Sequence, residues 1–580
     1  MSNFIVYIAF IVFCIYNLNI QTIKGEHYMK KILILFISVF IFSLAACTSD
    51  SNVEEEVSSD EEKTGDITVG LDQDFSTVDP HGTNDVVGIQ VRRQIFQTLV
   101  ARNSDMSHKE GLAKEWEQVD ETTWNFKLQE GVKFHNGSEF TAEDVKASLE
   151  RVVDPTVAAP TQFLFEMIED IEIVNDYEIN IKTRYPFAPL ADNLAHTAAS
   201  IMSKESIDQD YTNAIEAANL DITLEEYYDL RESGNEEFTN VSDQLAEFTS
   251  EYISEHPDGT NHVKFEARAP GQNLELVRFD DFVGDSKVDN LTFEIIPESG
   301  SMMAELESGG INITSPVEMA MFDRIDNSPS TELVESESLR TNYLGFNTES
   351  EPFTDVKVRQ AISYALDREA IRDGIYDGKA TIPNSLVSES AFGFSEELPS
   401  LTEDMDKAKE ILKESSYPEG FDATIWVNDS QDLVDTSVYI QEQLKELNIN
   451  INVEQFEMAT FLERLGNGQH DMFLLSFTAS TGDADYLLSS LTLSSNEGFG
   501  GNRAFYKNDQ VDDLLEKARS ATEESVRQTE YEKIHQILME ELPYIPLVHP
   551  NMTLAYNSDQ LESVELDAAG YIRLENVSFK

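Results

Sequence analysis

Short stretches in which apolar and polar residues alternate predict half-buried β-strands. In 123–129, Trp124, Phe126 and Leu128 fall on one face, which is the period of two expected for a strand with one buried side. A second alternating stretch, 171–181, is interrupted by an Asn-Asp pair, and this pattern predicts a β-hairpin.

Apolar residues at intervals of three and four predict amphipathic helices between the strands. Thr141 can cap a helix that has an acidic residue, Asp144, in its first turn. Similar helical patterns begin at Thr354 and Val511, and another ends before Pro543. Helices and strands recur throughout the chain without an internal repeat, so the fold class is predicted to be α/β.

Two apolar stretches near the N-terminus, 4–16 and 32–42, indicate a targeting segment. The second follows Lys30 and Lys31, has the length of a signal-peptide core and is short for a membrane-spanning helix. It ends in the letters LAAC at Cys47. This sequence resembles a bacterial lipobox, which implies cleavage before Cys47 and its lipidation. The alternative is a signal peptide or helix with an incidental cysteine.

The leader segment 1–46 is excluded from the prediction of the fold. Met29 is a better start than the first residue, so residues 1–28 are either an over-long N-terminus or an additional membrane segment. Residues 48–62 contain seven acidic residues and no base. We therefore predict that 47–64 is an acidic, solvated tether between a lipid anchor and a globular body.

Composition excludes several classes of protein. The 580 residues include 108 Asp and Glu against 41 Lys and Arg, which gives a net charge of −67. Such a surface repels the phosphate backbone of a nucleic acid. The apolar fraction of 41% excludes a wholly disordered chain. Only Cys14 and Cys47 occur, which excludes a disulfide framework and a cysteine-based metal site.

Residues 205–258 are the most acidic part of the globular body. They contain sixteen acidic residues and one base, Arg231. Interspersed apolar residues predict a helical insertion, which is either a solvated decoration or a partner-binding site.

Motifs of common catalytic sites are absent from the sequence, which has no Walker loop, no HExxH and no GxSxG. Its ten histidines are scattered, and no nucleophile or acid–base set stands out. We therefore predict no metal, no cofactor and no catalytic residue. A binding protein is the simpler interpretation than an enzyme.

Three blocks of sequence carry a resemblance to a known family. They include WNFKLQEGVKFHNG at 124–137 with FTAEDV at 140–145, YLGFN at 343–347 with VRQAI at 358–362, and LPYIPL at 542–547. Together they resemble the family 5 solute-binding proteins of ABC transporters, which are oligopeptide, dipeptide and nickel binders. The resemblance covers about residues 66–555, apart from the insertion.

The resemblance implies a two-lobed, periplasmic-binding-protein-like fold with an extra subdomain on the first lobe. Residues 65–340 and 546–580 would form the first lobe, with the subdomain near 112–185. Residues 341–545 would form the second lobe. The lobes of family members close on the ligand about a hinge.

The resemblance further implies a lipid-anchored, extracytoplasmic monomer that captures oligopeptides in the cleft and delivers them to an ABC permease. Pairing of the peptide main chain with strand edges would let one receptor accept many sequences. One alternative is a different small solute, such as a nickel chelate. Another is a surface interaction or signalling protein that uses the acidic insertion.

Seven residues are predicted to contact the ligand: Thr83, Asn84, Trp426, Asn428, Phe477, Ser480 and Asp483. Trp426 is either a cleft residue or a core residue, and Asn428 is either a cleft residue or a turn residue. In peptide-binding members an Asp pairs with the ligand amine, and Ser480 stands at its position here. That contact is lost, moved to Asp483, or not needed because the ligand differs.

Overall fold

The computed structural model describes residues 63–398 and 401–580. Cys47, the leader segment and the tether up to residue 62 lie outside the described residues, and their assignments stay predictions. The strands are β1 Gly65–Leu71, β2 Val100–Arg102, β3 His108–Glu110, β4 Ala113–Gln118, β5 Thr123–Leu128, β6 Ile168–Asn175, β7 Glu178–Thr183, β8 Val263–Ala269, β9 Asn273–Arg278, β10 Val288–Ile295, β11 Ile313–Thr314, β12 Thr331–Ser336, β13 Arg340–Phe346, β14 Ala380–Thr381, β15 Phe421–Val427, β16 Ile449–Gln455, β17 Met472–Thr478, β18 Tyr544–Pro550, β19 Met552–Asn557, β20 Leu561–Ser563 and β21 Ser578–Phe579.

The α-helices alternate with these strands. They are α1 Val86–Ile95, α2 Ala142–Val152, α3 Leu190–Leu194, α4 Lys204–Ala217, α5 Leu224–Ser233, α6 Glu236–Leu245, α7 Glu251–Glu255, α8 Ser299–Ser308, α9 Phe322–Asp326, α10 Val356–Ala365, α11 Arg368–Ile375, α12 Met405–Lys413, α13 Gln431–Leu444, α14 Met458–Gly466, α15 Ala484–Thr492, α16 Asp509–Ser520 and α17 Glu524–Glu541. Within the described part of the chain, none of the helices has the length and apolar character needed to span a membrane.

Two large mixed sheets form the framework. One has seven strands in the order β12-β19-β11-β1-β10-β9-β8, and the other has six in the order β14-β18-β13-β17-β15-β16. In the first, β1 runs parallel to β10 and β11. In the second, β15 runs parallel to β16 and β17, while β13 is antiparallel to its neighbours. The predicted α/β class is confirmed.

Two short segments connect the sheets. The chain leaves the seven-stranded sheet after Ser336 and returns to it at Met552. The Ser338 hydroxyl donates a hydrogen bond of 2.5 Å to the carbonyl of Pro550, which joins the two segments. The sequence placed the start of the returning segment at 546. Strand β18 instead continues in the six-stranded sheet to Pro550, because its last residues pair with β14.

A four-stranded sheet, β4-β5-β7-β6, packs with α2 around a separate apolar core. The strand predicted from Trp124, Phe126 and Leu128 is β5, and the predicted hairpin is β6 with β7. Helix α2 begins where expected, since the backbone N–H of Thr141 donates to the Asp144 carboxylate at 2.8 Å. The local sequence patterns therefore predicted the elements of this part of the fold correctly.

Helices α4 to α7 occupy the acidic segment predicted as a helical insertion. They are more than a solvated decoration, because one face of them is part of the core beneath the seven-stranded sheet. The buried residues of this face include Tyr211, Tyr227, Phe238, Leu245 and Ile253. This apolar face was not predicted from the sequence, because acidic residues dominate the composition of the segment.

Candidate functional site

A cavity of about 230 Å³ lies between the parts of the chain that carry the two large sheets. The following contribute to its wall: the end of α1, strands β2 and β3, residues 195–200, residues 567–575 and Ser480. Ser480 follows β17 and comes from the six-stranded side, whereas α1 and the C-terminal segment pack with the seven-stranded side. We call this space the interlobe cavity.

Direct contacts between the two sides close the molecule around the interlobe cavity. The Arg102 guanidinium donates to the carbonyl of Thr481. The rings of Phe163 and Tyr486 stack with centroids 5.9 Å apart. The backbone N–H of Ala188 donates to the carbonyl of Arg519 at 2.7 Å. These contacts would have to break for the two sides to separate.

Ion pairs line one wall of the interlobe cavity. Asp567 lies 3.0 Å from Arg93 and 3.7 Å from Arg573, measured between carboxylate oxygen and guanidinium nitrogen. Arg573 also lies 3.5 Å from Glu575. The guanidinium of Arg93 stacks over the ring of Tyr571 at 4.9 Å. The wall is therefore polar and preorganised, and the carboxylates of Asp567 and Glu575 are already paired.

His196 presents a hydrogen-bond donor in the same wall. Its Nδ1 accepts from the backbone N–H of Ala198 at 3.1 Å. Burial, with a smaller contribution from the charges of Arg102 and Arg92, lowers the pKa of His196 to about 4. The ring is therefore neutral at pH 7, and the proton resides on Nε2. Within the described residues Nε2 has no partner, so it can donate to a ligand.

Ser480 is the predicted site residue that the structure places in the interlobe cavity. Its backbone N–H donates to the carbonyl of Thr478 at 2.9 Å, which fixes the turn after β17. Its side chain is half-buried. A serine hydroxyl here can donate or accept, but it cannot neutralise a ligand ammonium as a carboxylate would.

Asp483 does not line the interlobe cavity, because its carboxylate is committed within its own lobe. It accepts from the backbone N–H of Asp485 at 2.8 Å and caps α15. It forms an ion pair of 2.5 Å with Arg527 and accepts from the Tyr531 hydroxyl at 3.1 Å. Its side chain is 1% exposed. Transfer of the amine contact to Asp483 is not supported by this geometry.

The aromatic residues predicted for the cleft lie in packed surroundings. Trp426 is buried between Phe456 and His470, with ring centroids at 5.0 and 6.0 Å, which fits the core interpretation. Phe477 is half-buried and packs against Tyr486 at 5.1 Å. Neither residue contributes to the wall of the interlobe cavity.

Asn428 is buried at the end of β15, and its Oδ1 has no hydrogen-bond partner among the described residues. Thr83 serves the start of α1, because its hydroxyl donates to Asp85 at 2.5 Å and accepts from Arg92 at 2.9 Å. Asn84 is exposed beside it. The structure therefore separates these three residues from the interlobe cavity, and their contact with a ligand stays a prediction.

The charged residues of the wall are not among the seven residues predicted from the sequence. Arg93, Lys109 and Arg573 meet in space although up to 480 positions separate them in the chain. Basic residues are rare in this chain. A basic residue in the C-terminal segment, such as Arg573, was therefore a signal that could have marked it as a candidate site residue. Among the described residues, the structure shows no group of three or more His, Cys, Asp or Glu suited to hold a metal.

Comparisons with known proteins bear on this site. Residues 108–499 match the model of the bacterial extracellular solute-binding proteins, family 5. The chain is 27% identical over 504 residues to the glutathione-binding protein GsiB of Escherichia coli (strain K12), an alignment that covers 85% of this chain and 91% of that protein.

Solved structures share the fold. The oligopeptide-binding protein AppA from Bacillus subtilis, solved in complex with a nonapeptide, is 24% identical with a TM-score of 0.69, over 90% of this chain and 100% of that one. NikA from Staphylococcus aureus, solved with Ni(L-His)₂, is 19% identical with a TM-score of 0.67, over 89% and 100%. These likenesses confirm the expected two-lobed fold.

Proposed function

Because the chain belongs to the bacterial extracellular solute-binding proteins of family 5, we propose that it captures short oligopeptides in the interlobe cavity and delivers them to an ABC import permease. It is a binding protein of a transport system and not an enzyme. The observation that carries the proposal is the interlobe cavity itself, a polar space whose wall combines residues 93–111, residues 567–575 and Ser480. A ligand there touches both lobes at once.

Binding and closure are coupled by this arrangement. Contacts such as Arg102 with the carbonyl of Thr481 and Ala188 with the carbonyl of Arg519 exist only when the lobes meet. A ligand that bridges the lobes favours the closed population by its differential affinity for it. The permease can then distinguish the loaded from the empty receptor.

The size of the interlobe cavity favours a short ligand. Its volume of about 230 Å³ lies below the range of roughly 300–1,000 Å³ that is usual for small-molecule sites. A long peptide therefore requires the lobes to remain further apart. We propose peptides of a few residues as the preferred cargo.

A thermal-shift screen tests the proposed function. Purified protein is heated with short peptides, glutathione and nickel–histidine, and a ligand present at a hundred times its Kd adds about 2.7 kcal/mol to the stability of the folded state. We expect a clear rise of the midpoint with short peptides. A rise with nickel–histidine and none with any peptide would contradict the proposal.

A different small solute is the second candidate, and Ser480 favours it. In peptide-binding members of the family, the position of Ser480 is occupied by the Asp that pairs with the ligand amine. Serine cannot replace the negative charge of that Asp. Native mass spectrometry of protein purified under mild conditions identifies what co-purifies. A bound mass outside the range of peptides would favour this candidate.

We also propose an extracytoplasmic location by a lipid on Cys47. Support comes from the lipobox-like letters LAAC that end at Cys47 and from the acidic tether that follows. A lipid anchor at Cys47 would keep the binding module at the membrane, near its permease. The Cys47→Ala variant should appear in the culture medium while wild type partitions with membranes. Equal partitioning of both would contradict the anchor.

A further inference from the structure

The interlobe cavity has an unusual charge for this chain. Acidic residues outnumber basic ones 108 to 41 in the whole sequence. The cavity wall reverses that order, with Arg93, Arg102, Lys109 and Arg573 against Glu110, Asp567 and Glu575. Acidic residues therefore do not predominate in this wall as they do in the whole chain, so the cavity repels an anionic ligand less than the rest of the protein does.

Three of the four basic residues in the wall form ion pairs with carboxylates, and the fourth, Lys109, does not. Arg102 lies 2.9 Å from Asp192, a residue behind the wall. Asp567 forms ion pairs with Arg93 and Arg573, and Glu575 forms one with Arg573. Among the described residues, the ammonium group of Lys109 has no hydrogen bond and no ion pair. Glu110, its neighbour in β3, is exposed and therefore solvated.

The surroundings of Lys109 make an anion favourable there. The residue is half-buried. Burial is the main cause that lowers the pKa of its ammonium group. The cations of Arg573 and Arg93 lower this pKa further, while the carboxylates of Glu575 and Glu565 act in the opposite direction. Because no carboxylate of the described residues lies within ion-pair distance of this ammonium group, a ligand carboxylate that enters the cavity can pair with it.

Other groups in the wall suit a carboxylate better than an amine. The Nε2–H of His196 is a free donor, and the hydroxyl of Ser480 can donate as well. The carboxylate of Asp483, which could have paired with an ammonium group, is held by Arg527. The described part of the wall thus offers several donors and no unpaired buried carboxylate.

We propose that the interlobe cavity selects anionic short peptides through a carboxylate held by Lys109 together with Arg93 and Arg573. This inference rests on the proposed function and specifies its ligand class. Recognition of the ligand's free α-amine is not the main determinant, in contrast to a site built around an acidic residue. Charge-assisted hydrogen bonds of this kind contribute enough to set a preference of tenfold or more.

Calorimetric titration with four matched tripeptides tests the proposal. They are Ala-Glu-Ala as the free acid, its C-terminal amide, Ala-Gln-Ala as the free acid, and N-acetyl-Ala-Glu-Ala. We expect about tenfold weaker binding when the responsible carboxylate is removed. The amide identifies the C-terminal carboxylate and the Gln peptide identifies the side chain. Acetylation of the amine should change Kd by less than about threefold.

Variants at Lys109 locate the effect. Lys109→Met should abolish the preference for the carboxylate, and Lys109→Arg should retain it. Lys127→Met is the matched control, because Lys127 is exposed on β5, lies 2.7 Å from Glu115 and is not part of the cavity wall. Unfolding midpoints near that of wild type verify that each variant is folded.

The outcomes separate the two proposals. Peptides that bind wild type equally with and without carboxylates would overturn this inference and leave peptide capture intact. Full discrimination by Lys109→Met would also overturn it. If wild type binds none of the four peptides although other short peptides stabilise it, this inference fails and peptide capture stands; if no peptide binds at all, the proposed function fails as well.

Discussion

Asp483 illustrates how a buried carboxylate is satisfied entirely within one lobe. It caps α15, pairs with Arg527 and accepts from the Tyr531 hydroxyl. A buried ion pair of this kind contributes little net stability, but loss of one partner leaves an uncompensated charge. The residue therefore matters for folding rather than for ligand contact.

Asp483→Asn should lower the free energy of unfolding by about 3–5 kcal/mol, because Asn can still cap the helix but leaves the charge of Arg527 unpaired. Urea denaturation measures the change. Asp429→Asn is the control, since Asp429 is exposed and its replacement should have little effect. A loss below about 1 kcal/mol in Asp483→Asn would contradict the structural role.

At the scale of residues, the sequence led to the cavity at one position. The family resemblance pointed to Ser480 because it lies in a block that can be aligned locally. It could not point to Lys109 or Arg573, because their proximity depends on how β3 and the C-terminal segment meet in the folded chain. Trp426 shows the same limit, since an aromatic residue at a strand end has the same pattern whether it faces a cleft or a core.

Helices α4 to α7, which form the acidic segment, are joined to the rest of the first lobe by buried polar contacts. Arg151 on α2 is fully buried and donates to Asp79 at 2.7 Å and to Ser250 at 3.0 Å. It also lies 3.3 Å from Asp210 on α4. This network joins the loop after β1, helix α2 and the acidic helices. Removal of residues 205–258 would deprive the buried guanidinium of Arg151 of its contacts with Asp210 and Ser250.

Phe238→Ala tests whether the acidic helices are part of the core. Phe238 is buried on α6 and packs with Tyr227 at a ring separation of 6.2 Å. We expect a loss of about 3–5 kcal/mol in the free energy of unfolding. Glu237→Ala, its exposed neighbour on the same helix, should change stability by less than about 0.5 kcal/mol. Equal, small effects of both would show that the helices are decoration after all.

At the scale of elements, periodicity predicted well where a strand or helix has one clear apolar face. Strand β5, the hairpin of β6 and β7, and the start of α2 at Thr141 were all found in this way. The burial of the acidic helices was not, because the apolar residues are distributed over several short helices and the average is dominated by acids. Their contact with the sheet is a tertiary property that no local window contains.

Several buried histidines give the whole molecule a defined pH dependence. Burial lowers the pKa of each of the following to about 4: His135, His196, His262, His470 and His549. In the unfolded chain these groups titrate near 6.5. Between the two values the unfolded state binds more protons, so stability falls as pH falls.

The free energy of unfolding should therefore decrease as pH is lowered from about 6.5 towards 4, by about 1.4 kcal/mol per pH unit for each such histidine. Denaturation in high salt, which screens the repulsion between surface acids, measures the slope. His262→Gln should have a shallower slope than wild type by one proton. A stability that is constant over this range in both proteins would contradict the buried, neutral state.

At the scale of the whole molecule, the family resemblance predicted two lobes and a hinge. It placed the return of the chain at 546, whereas pairing with β14 extends the second sheet to Pro550. A resemblance aligns blocks of similar sequence, but the exact end of a strand depends on its neighbours in the sheet. The closed contacts around the cavity, such as that of Phe163 with Tyr486, could not be derived from sequence for the same reason.

A short peptide is expected to bind between the two lobes. Calorimetric titration of a peptide that stabilises wild type, repeated on Ser480→Trp, tests it most directly. The new indole would occupy the interlobe cavity, while the control Ser525→Trp adds the same group at an exposed position on α17. We expect one peptide per protein for wild type and the control, and binding at least about tenfold weaker for Ser480→Trp. Unchanged affinity in a folded Ser480→Trp variant would contradict binding in this cavity.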